Sequence, residues 1–442
     1  MSEDITNSSA NHVEEPVMTF AQAVREARRC LHCKVPQCRK GCPVNNDIPE
    51  WIHELSMGNI GRAMEIINLR SNLPAVCGRV CAHERQCEGN CVLGKKGQHI
   101  RIGQLERFVA DFEASLALCR NSVAVKDRGK VAVVGSGPAG LTAAGELARK
   151  GFAVEIFEME REPGGVLTFG IPEYRLPKDV VRREIKKIEE LGVTIHCTTA
   201  VGRRGYTIDD LFEKGFDAIF LATGTGKPRK LEVEGNRLPG VKHAVHFLRK
   251  LGLYQAGYIS REEVPVHPGD VVYVVGGGNT AMDAARSALK MGARSVTVVY
   301  HRDEANLSAL RAEYEDAVTE GVKFQWQTDI KRFLGNDGVL TGFEAETPNG
   351  LETFEADVVL TAIGAAPAAR IINTSEGIEV DERGYVKTRE MPYGMSTRKG
   401  VFAGGDVTNR PASVVHAMQD ARKVSAGIEQ YISALKLMQM LD

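Results

Sequence analysis

The chain has no excess of charge of either sign and no long apolar run. It has 56 Lys and Arg against 57 Asp and Glu, a net charge of -1. That leaves no electrostatic case for nucleic acid or an anionic membrane surface. Its longest apolar runs are of strand length, such as Val271–Val275, far short of the roughly 20 residues a membrane helix needs. The stretch from Met1 to Pro16 is polar and acidic and lacks the basic start and apolar core of an export signal. It is expected to be a mobile tail on a cytoplasmic protein. Cysteine is almost missing outside one block, since only Cys119 and Cys197 lie beyond Cys30–Cys91. These two are isolated, so neither can form the dithiol a disulfide reductase needs. What remains is the composition of a soluble globular protein, 43% hydrophobic and 26% charged. At 442 residues it should fold as two or three domains.

Three zones follow one another. Residues 1–120 are cysteine-rich, show no strand alternation and are expected to be helical. Thr19 is a candidate cap for a helix with its apolar face on Phe20, Val24 and Ala27. Ile48–Leu55 and Ile60–Leu69 suggest further short helices. After a linker at 121–130 comes a βαβ pattern: strand Val131–Val134, helix Gly140–Lys150, strand Val154–Phe157. The pattern returns about 140 residues later as strand Val271–Val275, helix Thr280–Met291 and strand Ser295–Tyr300. That spacing is too long for a solenoid and suits two dinucleotide-binding domains. Similar strand ends, Leu221–Gly224 and Leu360–Gly364, close the two units. The expected architecture is α/β: a helical domain at 1–120, a discontinuous Rossmann-like domain at 121–227 and 365–442, and a second Rossmann-like domain at 228–364.

The cysteines fall into two groups, Cys30-x2-Cys33-x4-Cys38-x3-Cys42-Pro43 and Cys77-x3-Cys81-x5-Cys87-x3-Cys91. Thiolates are soft anionic donors suited to iron–sulfur cubes. Where two clusters share such a run, the cysteine before proline serves the other cluster. By that logic Cys30, Cys33 and Cys38 hold one 4Fe–4S cluster, completed from the second group, and Cys42 joins the other. Structural zinc, with His32 or His83 joining the CxxC pair, is the alternative.

Gly135-Ser-Gly137-Pro138-Ala139-Gly140 links a strand to a helix. Gly135 permits the turn, Gly137 admits a pyrophosphate and Gly140 lets the helix approach the strand. The helix N-terminus offers free amides to phosphate. Glu158, at the end of the next strand, suits a ribose and repels a 2′-phosphate, so the turn should hold FAD or NAD. Downstream, Gly404-Gly405-Asp406 before a helix carrying Val414, Val415, Ala417 and Met418 favours FAD, with Asp406 as partner of a ribityl hydroxyl. The second turn, Gly276-Gly-Gly278-Asn279-Thr280-Ala281, is followed at its strand end by His301 and Arg302. These suit the 2′-phosphate of NADPH, while Asp303 and Glu304 beside them suit NADH.

Taken together, these motifs resemble the small subunit of bacterial glutamate synthase and its relatives, the large subunit of NADH-dependent ferredoxin:NADP oxidoreductase and the N-terminal part of dihydropyrimidine dehydrogenase. The likeness spans roughly 18–430 and rests on Arg29–Pro43, Cys77–Cys81, Ile102–Arg107, Gly164–Pro177 and Gly276–Asp283. It implies that Cys30, Cys33, Cys38 and Cys91 hold one cluster. It implies that Cys42, Cys81, Cys87 and Glu106 hold the other, with Cys77 spare. It adds Gly165 and Arg175 to the FAD site and stacks nicotinamide on the flavin from the second domain. Relatives often carry two adjacent arginines in place of His301-Arg302 and Met-Pro-Ala in place of Leu307-Ser308-Ala309. No amidotransferase or pyrimidine-reducing segment is present. The function implied is electron transfer between NAD(P)H, FAD and two clusters, to or from a partner such as a glutamate synthase large subunit, a ferredoxin or another redox protein. A self-sufficient NAD(P)H diaphorase and a non-catalytic metal scaffold are the rivals.

Overall fold

The computed structural model describes residues 18–116, 123–203, 205–367, 371, 374–408 and 413–441. The expected N-terminal tail and Cys119 lie outside the described residues.

The cysteine-rich zone is helical: α1 (Phe20–Ala27), α2 (Gln37–Gly41), α3 (Ile48–Ser56), α4 (Ile60–Asn68), α5 (Pro74–Val80) and α6 (Ile102–Leu116). Thr19 caps α1 through a reciprocal box with Gln22. The face it buries differs from the expected one. Ala23, Glu26 and Ala27 point inward while Phe20 is 46% exposed, its ring lying beside Phe108 and Phe112. Glu26 takes the inward place because its carboxylate accepts from Arg29 and from the Arg101 amide.

The first parallel sheet has the order β15-β4-β1-β2-β3, from β1 (Lys130–Val134), β2 (Ala153–Phe157), β3 (Thr194–His196), β4 (Ala218–Leu221) and β15 (Val401–Ala403). Helices α7 (Pro138–Arg149), α8 (Val166–Phe169), α9 (Lys178–Glu189), α10 (Ile208–Glu213) and the C-terminal α14 (Val414–Gln439) accompany it. The second parallel sheet has the order β6-β13-β7-β8-β9, from β6 (Val241–His243), β7 (Val271–Val275), β8 (Ser295–Val299), β9 (Lys323–Gln325) and β13 (Val358–Thr361). It carries α11 (Ala244–Gln255), α12 (Asn279–Lys290) and α13 (Arg311–Thr319). Strands such as Ala218–Leu221 and Val358–Thr361 are buried at every position, as parallel strands covered on both faces must be.

The chain crosses between the sheets on a short antiparallel pair, β5 (Lys227–Pro228) with β14 (Ala365–Ala366). Within the second unit, β10 (Asp329–Asn336), β11 (Val339–Thr347) and β12 (Gly350–Glu355) form an antiparallel sheet. It packs Phe333, Phe343 and Ala345 against Val299 and Val359.

The helical zone is not an independent bead. Leu73, Ala75, Val76 and Cys77 of α5 and its lead-in share one core with α7, β1 and α14. Charged contacts reinforce the joint. Asp111 of α6 receives Arg79 and Arg183, and Glu113 receives Lys187 of α9. Removing α5 would therefore open the core beneath the first glycine turn.

Candidate functional site: two glycine turns and two thiol sets

The first turn follows β1. Gly135 takes φ +100, and a side chain there would strike the Ala222 carbonyl at 2.7 Å. No atom lies within 4 Å of where a Cβ on Gly137 would point. That leaves an open cradle at the head of α7, whose N-terminus has no side-chain cap. Its first amides are thus available to an anion. Pro138 opens the helix, where its missing N–H costs nothing. Gly405 (φ +75) approaches from the far end of the sequence. A Cβ there would sit 2.9 Å from that of Ala139. Gly165 lies against Gly137, 3.0 Å from its Cα by the same measure.

Glu158 is 5% exposed at the end of β2. One carboxylate oxygen accepts from the Ser136 amide (2.9 Å) and hydroxyl (2.5 Å), and the other accepts from the Glu160 amide. It braces the turn as well as lying where a ribose is expected. Burial pushes Asp406 up to about 6. These features fit a dinucleotide held by backbone amides and two carboxyl groups.

Arg175 stands where the two sheets' units meet. Its guanidinium faces the second unit, 2.7 Å from Asp283 of α12 and 2.8 Å from Glu313 of α13. Burial would lower its pKa, but those two carboxylates hold it above the ordinary arginine value. Tyr174 joins the same joint, with its hydroxyl donating to the Asp283 carbonyl and its ring under Arg286. Arg175 is therefore a tie between the two nucleotide-type domains. The sequence reading noted Asp283 only as the end of the second glycine motif and missed Arg286 and Glu313, whose helical spacing resembles that of any charged face.

The second turn repeats the backbone of the first. Gly276 (φ +137) would strike the Ala362 carbonyl, and Gly277 lies against the Tyr300 ring. A Cβ on Gly278 would meet only the Ser308 hydroxyl, at 3.8 Å. Helix α12 also begins without a side-chain cap. Asn279 accepts from the Leu310 amide (2.8 Å), and Thr280 follows in the first helical turn. Beyond β8, His301 and Arg302 are exposed, and His301 sits edge-on to Tyr300. Asp303 caps its own short turn through Asn306, and Glu304 pairs with Arg311. Both carboxylates expected to serve NADH are thus engaged, while Arg302 has no ion pair among the described residues. Gly364 (φ +96) lies at the domain crossing, its carbonyl accepting from the Arg229 amide.

The cysteines separate into two places. Cys30, Cys33, Cys38 and Cys91 line one apolar cavity with Ile48, Pro49, Ile52 and Ile100. Cys42, Cys81 and Cys87 gather with Glu106: burial raises the Cys42 and Cys87 thiols, a hydrogen bond with Cys77 and burial raise that of Cys81, and the nearby Glu106 carboxylate adds to each. Burial pushes Cys38 up to about 12 and Cys42 to about 11. Burial, with the charge of Glu184 added, pushes Glu106 up to about 8. Such enclosures disfavour free thiolates and carboxylate and suit them bound to cationic iron.

Among the described residues no three His, Cys, Asp or Glu side chains converge on a point that would hold a single ion. His32 is exposed against His53, and the half-buried His83 ring lies against Gly103 and the Cys77 backbone rather than among the thiols, as the zinc alternative would require. Cys77 is buried between Ser71 and Met418 and lies against Cys81, with which it shares a hydrogen bond. Cys197 is free on the first sheet's side, without a neighbouring thiol among the described residues.

Residues 7–117 match the family described as dihydropyrimidine dehydrogenase domain II, 4Fe-4S cluster, and residues 129–421 match pyridine nucleotide-disulphide oxidoreductase. The chain is 38% identical over 437 residues to the glutamate synthase [NADPH] small chain of Halomonas elongata, covering 93% of this chain and 91% of that one. It is 32% identical over 429 residues to the NAD-dependent dihydropyrimidine dehydrogenase subunit PreT of Escherichia coli, covering 96% and 98%. Among solved structures, Lactococcus lactis thioredoxin reductase aligns with a TM-score of 0.53 at 23% identity, over 69% of this chain and 99% of that one. Mycobacterium tuberculosis FprA in complex with NADPH aligns with a TM-score of 0.55 at 19% identity, over 71% and 86%. These two likenesses speak to the fold alone.

Proposed function

We propose, on the premise that this chain belongs to the pyridine nucleotide-disulphide oxidoreductase family and to the glutamate synthase small chains and their relatives within it, a route, a nucleotide and a partner for its electrons. The chain is an NAD(P)H-dependent oxidoreductase with FAD and iron–sulfur centres, acting as an electron-transfer subunit. No helix among the described residues is long and apolar enough to cross a membrane. A dense cysteine block that serves clusters rather than disulfides suits the reducing cytoplasm, where we place the protein. We set the domain boundaries at 120/121, 227/228 and 364/365, and the crossing pair of Lys227–Pro228 with Ala365–Ala366 supports the last two.

In this reading Gly135, Gly137, Pro138, Ala139 and Gly140 hold the FAD pyrophosphate, and Glu158 its adenosine ribose. Gly165, Gly405 and Asp406 shape the flavin end. Gly276, Gly278, Asn279 and Thr280 hold the pyrophosphate of NADPH, with Arg302 and His301 at the 2′-phosphate and Gly364 at the inner end. Cys30, Cys33, Cys38 and Cys91 ligate one 4Fe–4S cluster, and Cys42, Cys81, Cys87 and Glu106 ligate the second. When bound, flavin and clusters supply the conversion of a two-electron hydride into single electrons. The protein's part is placement, and hydride transfer calls for no acid or base, so no side chain is assigned a catalytic proton.

The observation that carries the reading is the shared core. Helix α5, next to the Cys42/Cys81/Cys87/Glu106 set, packs in one piece with the helices of the flavin turn, α7 and α14. Electrons leave through, or arrive from, a larger redox partner of the glutamate synthase large-subunit type. The test is metal and flavin analysis of protein purified without oxygen, with its size in native extract. FAD and about eight irons per chain, two four-iron cubes, with migration in a larger complex, are expected. Zinc without iron would end the reading, and a chain that migrates alone would favour the diaphorase.

A further inference from the structure

Between Cys81 and Cys87 the chain makes a tight turn at His83–Arg85. The His83 carbonyl accepts from the amides of Gln86, Glu88 and Gly89, which ties the turn to the Cys87 segment. From it Arg85 reaches more than 200 residues along the chain. Its guanidinium donates to the carbonyls of Ser308 (3.0 Å) and Ala309 (2.6 Å). Glu84 beside it accepts from the Arg311 amide (3.1 Å).

The loop so gripped is the wall of the second glycine turn. The Gly277 carbonyl accepts from the Ser308 hydroxyl (2.8 Å) and the Ala309 amide (2.7 Å), and Asn279 accepts from the Leu310 amide. A cleft of about 420 Å³ lies alongside, lined by Arg85, Glu304, Ala305, Leu307, Ala309 and Arg311. A continuous chain of hydrogen bonds therefore joins the Cys81–Cys87 segment to the backbone that meets a dinucleotide's phosphates. A forked guanidinium can hold two carbonyls at once in fixed relation, which a flexible ammonium cannot.

We propose that Arg85 is a positioning residue for the pyridine nucleotide: by fixing Ser308 and Ala309 it presets the second glycine turn. The inference rests on the reading that this turn takes NAD(P)H. Coupling of this kind is reciprocal. Bound nucleotide must steady the Cys81–Cys87 segment to the same degree that the segment favours nucleotide.

The test uses the full-length protein purified without oxygen and compares the parent with Arg85→Ala and Arg85→Lys. Binding of NADP+ and of NAD+ is measured by calorimetry, beside flavin content, iron content and steady-state kinetics. Arg85→Ala should weaken the nucleotide that the parent binds by roughly tenfold, with KM rising by a similar factor. kcat at saturation and cofactor content should be unchanged. Arg85→Lys should fall between the two. Saturating nucleotide should slow iron loss to a chelator in the parent and not in Arg85→Ala. An unchanged Kd in both variants, or equal protection of iron in parent and Arg85→Ala, would overturn the inference. A parent that binds neither nucleotide would instead sink the underlying reading of the second turn. Should Arg85→Ala lose its iron on purification, the Arg85→Lys Kd decides: a rise of a few-fold supports the proposal and no rise overturns it.

Discussion

The two glycine turns share a backbone and differ in how they are enclosed. The first is closed by three stretches of chain: Gly405 abuts Ala139, Gly165 abuts Gly137, and Glu158 is buried against Ser136. Both turns leave room at their middle glycine, but beyond the second the strand end stays in solvent, with His301 and Arg302 exposed. A ligand that never leaves can be surrounded by distant segments. One that exchanges each turnover needs a site it can enter. The third position makes the same point: a Cβ on Gly140 would collide with the Gly135 carbonyl, whereas the second turn accommodates Ala281 there.

The largest expected effect breaks the closed turn. Gly140→Ala forces that carbonyl aside, and the purified protein should lack flavin absorbance altogether. Full retention of FAD would show that the approach of helix to strand is not needed. Next comes the tie between the halves. Asp283→Ala leaves Arg175 buried with Glu313 alone, which should cost about 3 kcal/mol in chemical denaturation. A change under about 0.5 kcal/mol, the scale of an ordinary surface substitution, would mean the joint is slack.

Asp406 tests what enclosure costs before the flavin arrives. Its pKa rises from 3.8 to about 6, so the folded chain prefers the protonated acid. Its contribution is full below pH 4 and is lost as pH climbs through 6. In flavin-free protein at pH 7, Asp406→Asn should therefore gain up to about 3 kcal/mol and flatten stability between pH 4 and 6. A variant as pH-dependent as the parent would show that another group titrates. The smallest effect sharpens the open turn. Arg302→Ala should raise KM for NADPH about tenfold, roughly 1.4 kcal/mol, and leave that for NADH unchanged. Equal changes for both would remove Arg302 from the 2′-phosphate.

Much of this was legible from one sequence because certain chemistry allows few residue types. Only glycine fits φ +100 at Gly135, and thiols spaced as Cys30, Cys33 and Cys38 come to one cavity because their loop is short. The capping box at Thr19 was readable for the same reason, but the buried face of α1 was not. Glu26 outcompetes Phe20 for the interior through Arg29 and Arg101, partners that no local period reveals. The antiparallel sheet β10–β12 went unread although Asp337-Gly338 and Asn349-Gly350 mark its two turns. The domain tie at Arg175 and the reach of Arg85 were illegible in a stronger sense. Their partners lie 108 and 223 residues away, and only the fold brings them together.

The most direct test is anaerobic titration of the purified holoprotein with NADPH and, separately, NADH, followed from 350 to 700 nm. The expected result is that one nucleotide bleaches the flavin bands and the broad iron–sulfur absorbance together, at a stoichiometry exceeding the flavin's two electrons. Bleaching of flavin alone, with the iron–sulfur absorbance untouched, would contradict a continuous path from nucleotide to clusters.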